Sequence, residues 1–169
     1  MFILAIIVHW LHVFSGIFWF GGTLFLDFVV IPAVIGLPIA QQRSFSQRFS
    51  KIASRVVTPF AVLTILLGLV NGIAFGPVQS LDFLLGTNYG ITFLVALVAA
   101  VATFLWGLLV TVRQGERLNA IPVDEEAVAD GKLPVEFTKQ LALVRQVAML
   151  ELLGFLVVFT CMILLRFGL

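Results

Sequence analysis

The two histidines of the chain, His9 and His12, fall in one apolar run, "VHWLHVFSGIFWFGG" (8–22). Spaced three residues apart, they share one face of a helix and can both turn into a bundle. A neutral imidazole is a metal ligand through one nitrogen and a hydrogen-bond donor through the other. Near the opposite terminus stand a thiol and a thioether, Cys161 and Met162. Sulfur with imidazole suits Cu(I), whereas histidine alone or with methionine suits haem iron. The structural alternative for each histidine is a hydrogen bond that ties two helices together. No HExxH or CxxC zinc pattern, nucleotide-binding glycine motif or Ser–His–Asp set accompanies them.

The elements that must position these groups are set by composition. Residues of hydrophobic type make up 61% of the chain and charged ones only 11%, with a mean hydropathy of +1.15. That places it far from soluble domains. Four apolar segments, residues 2–35, 56–75, 89–112 and 141–165, each reach the roughly 20 residues needed to cross a bilayer. Their low polarity rules out the alternation of a membrane barrel. The expected fold is an all-α membrane protein, a four-transmembrane-helix bundle in a single domain over 1–169, with the lipid bilayer as its first partner. The lone cysteine excludes an internal disulfide, and a net charge of +1 gives no pull on nucleic acid. No cleavable signal peptide is expected, since the first basic residue is Arg43.

Basic residues fix the expected orientation. Arg43, Arg48, Lys51 and Arg55 fall in the loop 36–55, and Arg113, Arg117, Lys132 and Lys139 in the loop 113–140, whereas 76–88 has none. The positive-inside bias puts both basic loops in the cytoplasm and both termini outside, in an inner (plasma) membrane. The stretch "IAQQRSFSQRFSKIASR" (39–55) fits either a short helix lying on anionic headgroups or a solvated connector. Asp124, Glu125, Glu126 and Asp130 read as a solvated acidic face, and Pro134 as the opening of a helix that continues into the fourth span.

Depth then sorts the polar residues, at 1.5 Å per residue. His9 lies roughly 9 Å and His12 roughly 13 Å below the outer surface. Cys161 and Met162 lie about 5 Å below it, with Asn71 at a similar level. Asp27, roughly 36 Å along the first helix, reaches the cytoplasmic interface, where Arg55 begins the second, so the two are expected to form a structural ion pair, the alternative being a role for Asp27 in transport. Glu151 lies roughly 9 Å inside the cytoplasmic face of a core about 30 Å thick, either paired with Arg145 or a neighbouring helix or carrying a proton.

Because His9 and His12 share a face of one helix, they cannot clamp one haem from opposite sides. Within one protomer, haem ligation is five-coordinate or His plus Met, and bis-His ligation needs a second copy of the chain. Copper is less constrained. Trp10 and Tyr89 read as an interfacial belt and Trp19 and Trp106 as packing, with the 14 glycines permitting close helix contact.

The stretch "LHVFSGIFWFGGTLFLDFVVIPAV" (11–34) resembles the first helix of the copper-resistance CopD-like membrane proteins: a His, a Trp some seven residues on, a Gly-Gly pair and a late Pro, here His12, Trp19, Gly21, Gly22 and Pro32. "FSQRFSKIASRVVTPFAVLTILLGLVNG" (45–72) is similar to that family's basic loop and second helix, and "FLLGTNYG" (83–90) to its signature before the next. HemJ-type protoporphyrinogen oxidases, thought to bind haem through a histidine, share the first-helix pattern. The chain departs from both, lacking a lysine in "ITFLVALV" (91–98) and an arginine after the Trp, where Asp27 falls. These departures argue against HemJ oxidase activity, and the resemblance carries over only His12 as a functional residue.

The reading is then a metal-binding membrane protein. His9 and His12, with Met162 or Cys161, are its ligands, supported by Trp19, Asn71 and Glu151. Copper near the outer face is the first choice. The alternatives are a haem-b electron-transfer protein and a non-catalytic subunit of a larger membrane complex. A homodimer also fits a bundle this small.

Overall fold

A computed structural model describes residues 1–122 and 134–169. Helix α1 spans Phe2–Ile35, and α2 runs over Ile39–Val70 and ends in a π-helical turn at Asn71–Phe75. A short α3 (Leu81–Gly86) precedes α4 (Asn88–Ala120) and α5 (Val135–Arg166). The four long helices are each apolar and long enough to cross a membrane. No strand occurs among the described residues. The all-α four-helix bundle expected from composition is the fold, and its many exposed Leu, Ile, Val and Phe side chains suit lipid rather than water.

Helices end later than hydropathy does. The basic segment 39–55 is neither a separate surface helix nor a connector: it is the first half of one continuous α2. Likewise α4 continues through Ala120, and α5 begins directly after Pro134, which serves as its N-cap. Gln, Arg, Lys and Ala sustain a helix as well in water as apolar residues do in lipid, so the polar boundary marks the membrane surface and not the helix terminus. These extensions are tied together at the basic end. The Arg43 guanidinium donates to the carbonyl of Ile121, and the Gln140 amide to the Gln114 carbonyl at 3.1 Å. The acidic cluster Asp124, Glu125, Glu126 and Asp130, with Lys132, lies outside the described residues.

The "FLLGTNYG" stretch is a helix junction. Ser80 caps α3 by accepting from the Phe83 amide at 3.1 Å, and Thr87 caps α4 by accepting from the Gly90 amide at 3.0 Å. Two hydroxyl caps in quick succession reverse the chain tightly and deliver Tyr89 to the first turn of α4.

Neighbouring helices run antiparallel, so both termini share one end. α1 packs along α2 and α4 along α5, with α2 and α4 joining the two pairs. The α1–α2 seam is built from small residues: Gly22 meets Val57, and Gly16 meets the Thr64 methyl at a distance one extra carbon would fill. The centre takes one side chain from each long helix, Trp19, Ala61, Ala100 and Phe155. Trp19 is only 5% exposed and meets Phe155 edge-on at 5.0 Å and Phe104 at 6.2 Å. Two alanines opposite a tryptophan and a phenylalanine let large rings fill the middle without spreading the helices.

Helix α1 is interrupted by π-helical turns at Ile17–Gly21 and Leu26–Val30, and α4 by one at Gly107–Thr111. Such single wide turns recur at functional positions in helical proteins. The first of them carries Trp19.

Candidate functional site

Between the central rings and the end that bears the termini, the four helices line a half-open cavity of about 690 Å³. Its volume falls within the ~300–1,000 Å³ typical of small-molecule and cofactor sites. Trp19, Ala100 and Phe155 line its deep end, and Tyr89 and Arg166 its rim. Four residues singled out in the sequence, His9, His12, Asn71 and Met162, also line it, from α1, α2 and α5.

His12 is the fixed member of the set. Its side chain is 8% exposed, and its Nδ1 lies 2.9 Å from the carbonyl oxygen of Thr64 on α2. A carbonyl only accepts, so Nδ1 carries the hydrogen and Nε2 keeps a free lone pair. The ring lies against Gly68, where a Cβ would come within 3.0 Å of its Cε1. Thr64 contributes its backbone, its own hydroxyl being turned back to the Phe60 carbonyl at 2.7 Å. One imidazole nitrogen held by a main-chain carbonyl and the other left basic is the arrangement that orients a histidine toward a metal.

The other members are looser. His9, one turn nearer the terminus, is exposed at the rim, as is Met162 on the α5 wall. The Asn71 amide nitrogen is buried without a hydrogen-bond partner among the described residues. A buried donor left unpaired is unfavourable by about 1–3 kcal/mol unless something supplies an acceptor.

Cys161 is not brought to the cavity. It is 7% exposed and lies two turns beyond Gly154, on the face of α5 that packs against Thr103 of α4. Equal depth with Met162 therefore does not translate into a shared site, because consecutive residues of a helix point roughly 100° apart.

Glu151 and Asp27 lie in the other half of the bundle. Glu151 is some eleven residues from Met162 along α5, roughly 16 Å. It accepts a hydrogen bond from the Thr111 hydroxyl at 2.7 Å, and its carboxylate rests on Gly107, where a Cβ would approach to 2.8 Å. Its partner is thus a hydroxyl on a π-helical turn and not Arg145, and it gives the histidine site no direct support. The expected Asp27–Arg55 ion pair does not form. Asp27 is half-buried and within electrostatic reach of Glu151, while Arg55 is exposed. Val57 belongs to the α2 face that meets α1. Arg55, two residues earlier, sits roughly 200° around the helix and points away.

Three contributors escaped sequence reading. Thr64 acts through a backbone carbonyl, which no residue type signals. Gly68 was indistinguishable from the other small residues of the apolar spans. Arg166 closes the last span and looks like an ordinary interfacial anchor until the cavity is seen to reach it. Chemically, the arrangement offers one oriented imidazole, with a second imidazole, a sulfur, a phenol and a guanidinium toward the rim, around a mostly apolar chamber. Compared with protein-family models, with curated proteins and with solved structures, the chain matches none.

Proposed function

We propose that this multi-pass membrane protein binds haem b in the cavity, with His12 Nε2 as the iron ligand. The observation that carries the reading is the His12–Thr64 contact, which leaves Nε2 as an unprotonated donor beside a cavity of about 690 Å³. A bare ion needs only a few close ligands, whereas an apolar chamber of this volume suits a macrocycle. The aromatic lining fits the same group.

In this reading, Thr64 fixes the tautomer and plane of His12, and Gly68 leaves room for the ring. Trp19 and Phe155 exclude water from the deep end. Met162, on the α5 wall, is a further side chain that could help hold the group, and Cys161 takes no part. Haem b bound here would supply one-electron chemistry. The positive-inside bias favours the outer half of an inner membrane for the cavity, and the resemblance to CopD-like and HemJ-type proteins in residues 11–34 points to the same His12.

Copper handling is the second reading, favoured by one observation: His9, His12 and Met162 all line the one cavity. Absorption spectrum and metal content of the purified protein separate the two. A Soret band lost in His12→Ala and kept in His9→Ala is the expected result. Copper near one equivalent without a Soret band, lost in His9→Ala, would overturn the haem reading.

A further inference from the structure

The cavity is chemically uneven from floor to rim. Trp19, Ala100 and Phe155 make the deep end apolar, and the polar groups gather toward the end bearing the termini. Arg166 is the one lysine or arginine among its described lining residues, and no Asp or Glu lines it. Arg166 is also the last residue of α5, where a cation complements the terminal carbonyls. That structural role does not account for its place on the cavity wall.

We propose that Arg166 binds the carboxylates of the cavity's ligand, so that the site selects a planar macrocycle carrying its acid groups on one edge. The nature of the macrocycle rests on the haem reading above. A guanidinium pairs with a carboxylate through two parallel N–H donors. The fold gives such a molecule a route. The Phe2–Gly16 part of α1 packs along α2 but makes little backbone contact with α5. Deeper in, rings bridge α1 and α5: Phe20 stacks on Phe155 at 5.0 Å and reaches Phe159 at 6.2 Å. An amphipathic ligand entering from the lipid between these helices, apolar edge first, would bring its acid edge to Arg166.

The test compares haemin with its dimethyl ester, which keeps iron and macrocycle and lacks both carboxylates. Each is titrated into the full chain in nanodiscs of zwitterionic lipid, and the Soret band is read. Wild type is expected to bind the diacid about tenfold or more tightly over the ester, the strength of one good charge-assisted contact. Arg166→Gln should lose most of that preference by weakening only the diacid, and Arg166→Lys should keep part of it. Unchanged ester affinity in Arg166→Gln reports an intact cavity. Equal affinity of wild type for both compounds, or a preference untouched by Arg166→Gln, overturns the proposal and leaves the haem reading standing. Equal weakening of both compounds in Arg166→Gln means a structural role and also overturns it. If wild type binds neither, the haem reading fails and this inference with it.

Discussion

His12 Nδ1 and the Thr64 carbonyl oxygen, 52 residues apart in the chain, meet at 2.9 Å across the α1–α2 seam. The contact does two things at once. It satisfies a buried imidazole, and it decides which of the two nitrogens is left for chemistry. A structural histidine needs only the first. The cavity that His12 lines gives the second a use.

Gly68 should be intolerant of even one added carbon. A Cβ there would lie 3.0 Å from His12 Cε1, a tight contact to which the ring must yield by a few tenths of an ångström. Gly68→Ala is expected to weaken haem binding about tenfold, equivalent to ~1.4 kcal/mol, while thermal unfolding changes little. A Soret titration alongside a melting curve checks this. A variant binding as wild type does would show that the orientation of His12 is not needed.

Trp19→Ala should be the most damaging single truncation in the centre. It removes the ring that meets Phe104 and Phe155 and opens a void among all four helices. Lipid already solvates apolar groups, so the cavity and contact terms dominate over transfer from water. A loss of about 3 kcal/mol is expected, the lower end of the range for such truncations. Steric trapping or SDS unfolding measures it.

Glu151 should prove separable from the histidine site. Thr111→Val deletes the donor that lies 2.7 Å from its carboxylate and should destabilise the bundle by about 0.6–1.7 kcal/mol, the range for hydrogen bonds between membrane helices. The same variant should bind haem within twofold of wild type. A large loss of binding would couple the two halves of the bundle.

Thiol labelling can test which faces line the cavity. Cys161 is packed toward α4 and should react slowly with maleimides. In a Cys161→Ala background, Met162→Cys and His9→Cys should react quickly, and His9→Cys should do so with a membrane-impermeant reagent applied from outside. Rapid labelling of native Cys161 would contradict the helix phase described here. Labelling of His9→Cys only from the cytoplasmic side would reverse the orientation drawn from the basic residues.

Span number and helix class were legible because lipid demands roughly 20 apolar residues per crossing. The placement of His9, His12, Asn71 and Met162 on one cavity was foreshadowed by depth, which counting residues supplies. Rotation about each helix axis was not. Cys161 shares the depth of Met162 and faces elsewhere, and Arg55 shares the level of Asp27 and faces away. Hydropathy also understated α2, because the residues 39–55 are good helix formers that simply lie beyond the apolar zone. The backbone partner of His12 had no sequence signature at all.

Imidazole rescue addresses the central assignment most directly. Haemin is titrated into wild type, into His12→Gly, and into His12→Gly with free imidazole. The expected outcome is a Soret band typical of histidine-ligated haem in wild type, its loss or marked shift in the variant, and its return when imidazole fills the vacated space beside Gly68. A wild-type spectrum in His12→Gly without imidazole, or no haem binding by the wild type, would contradict the assignment of His12 as the ligand.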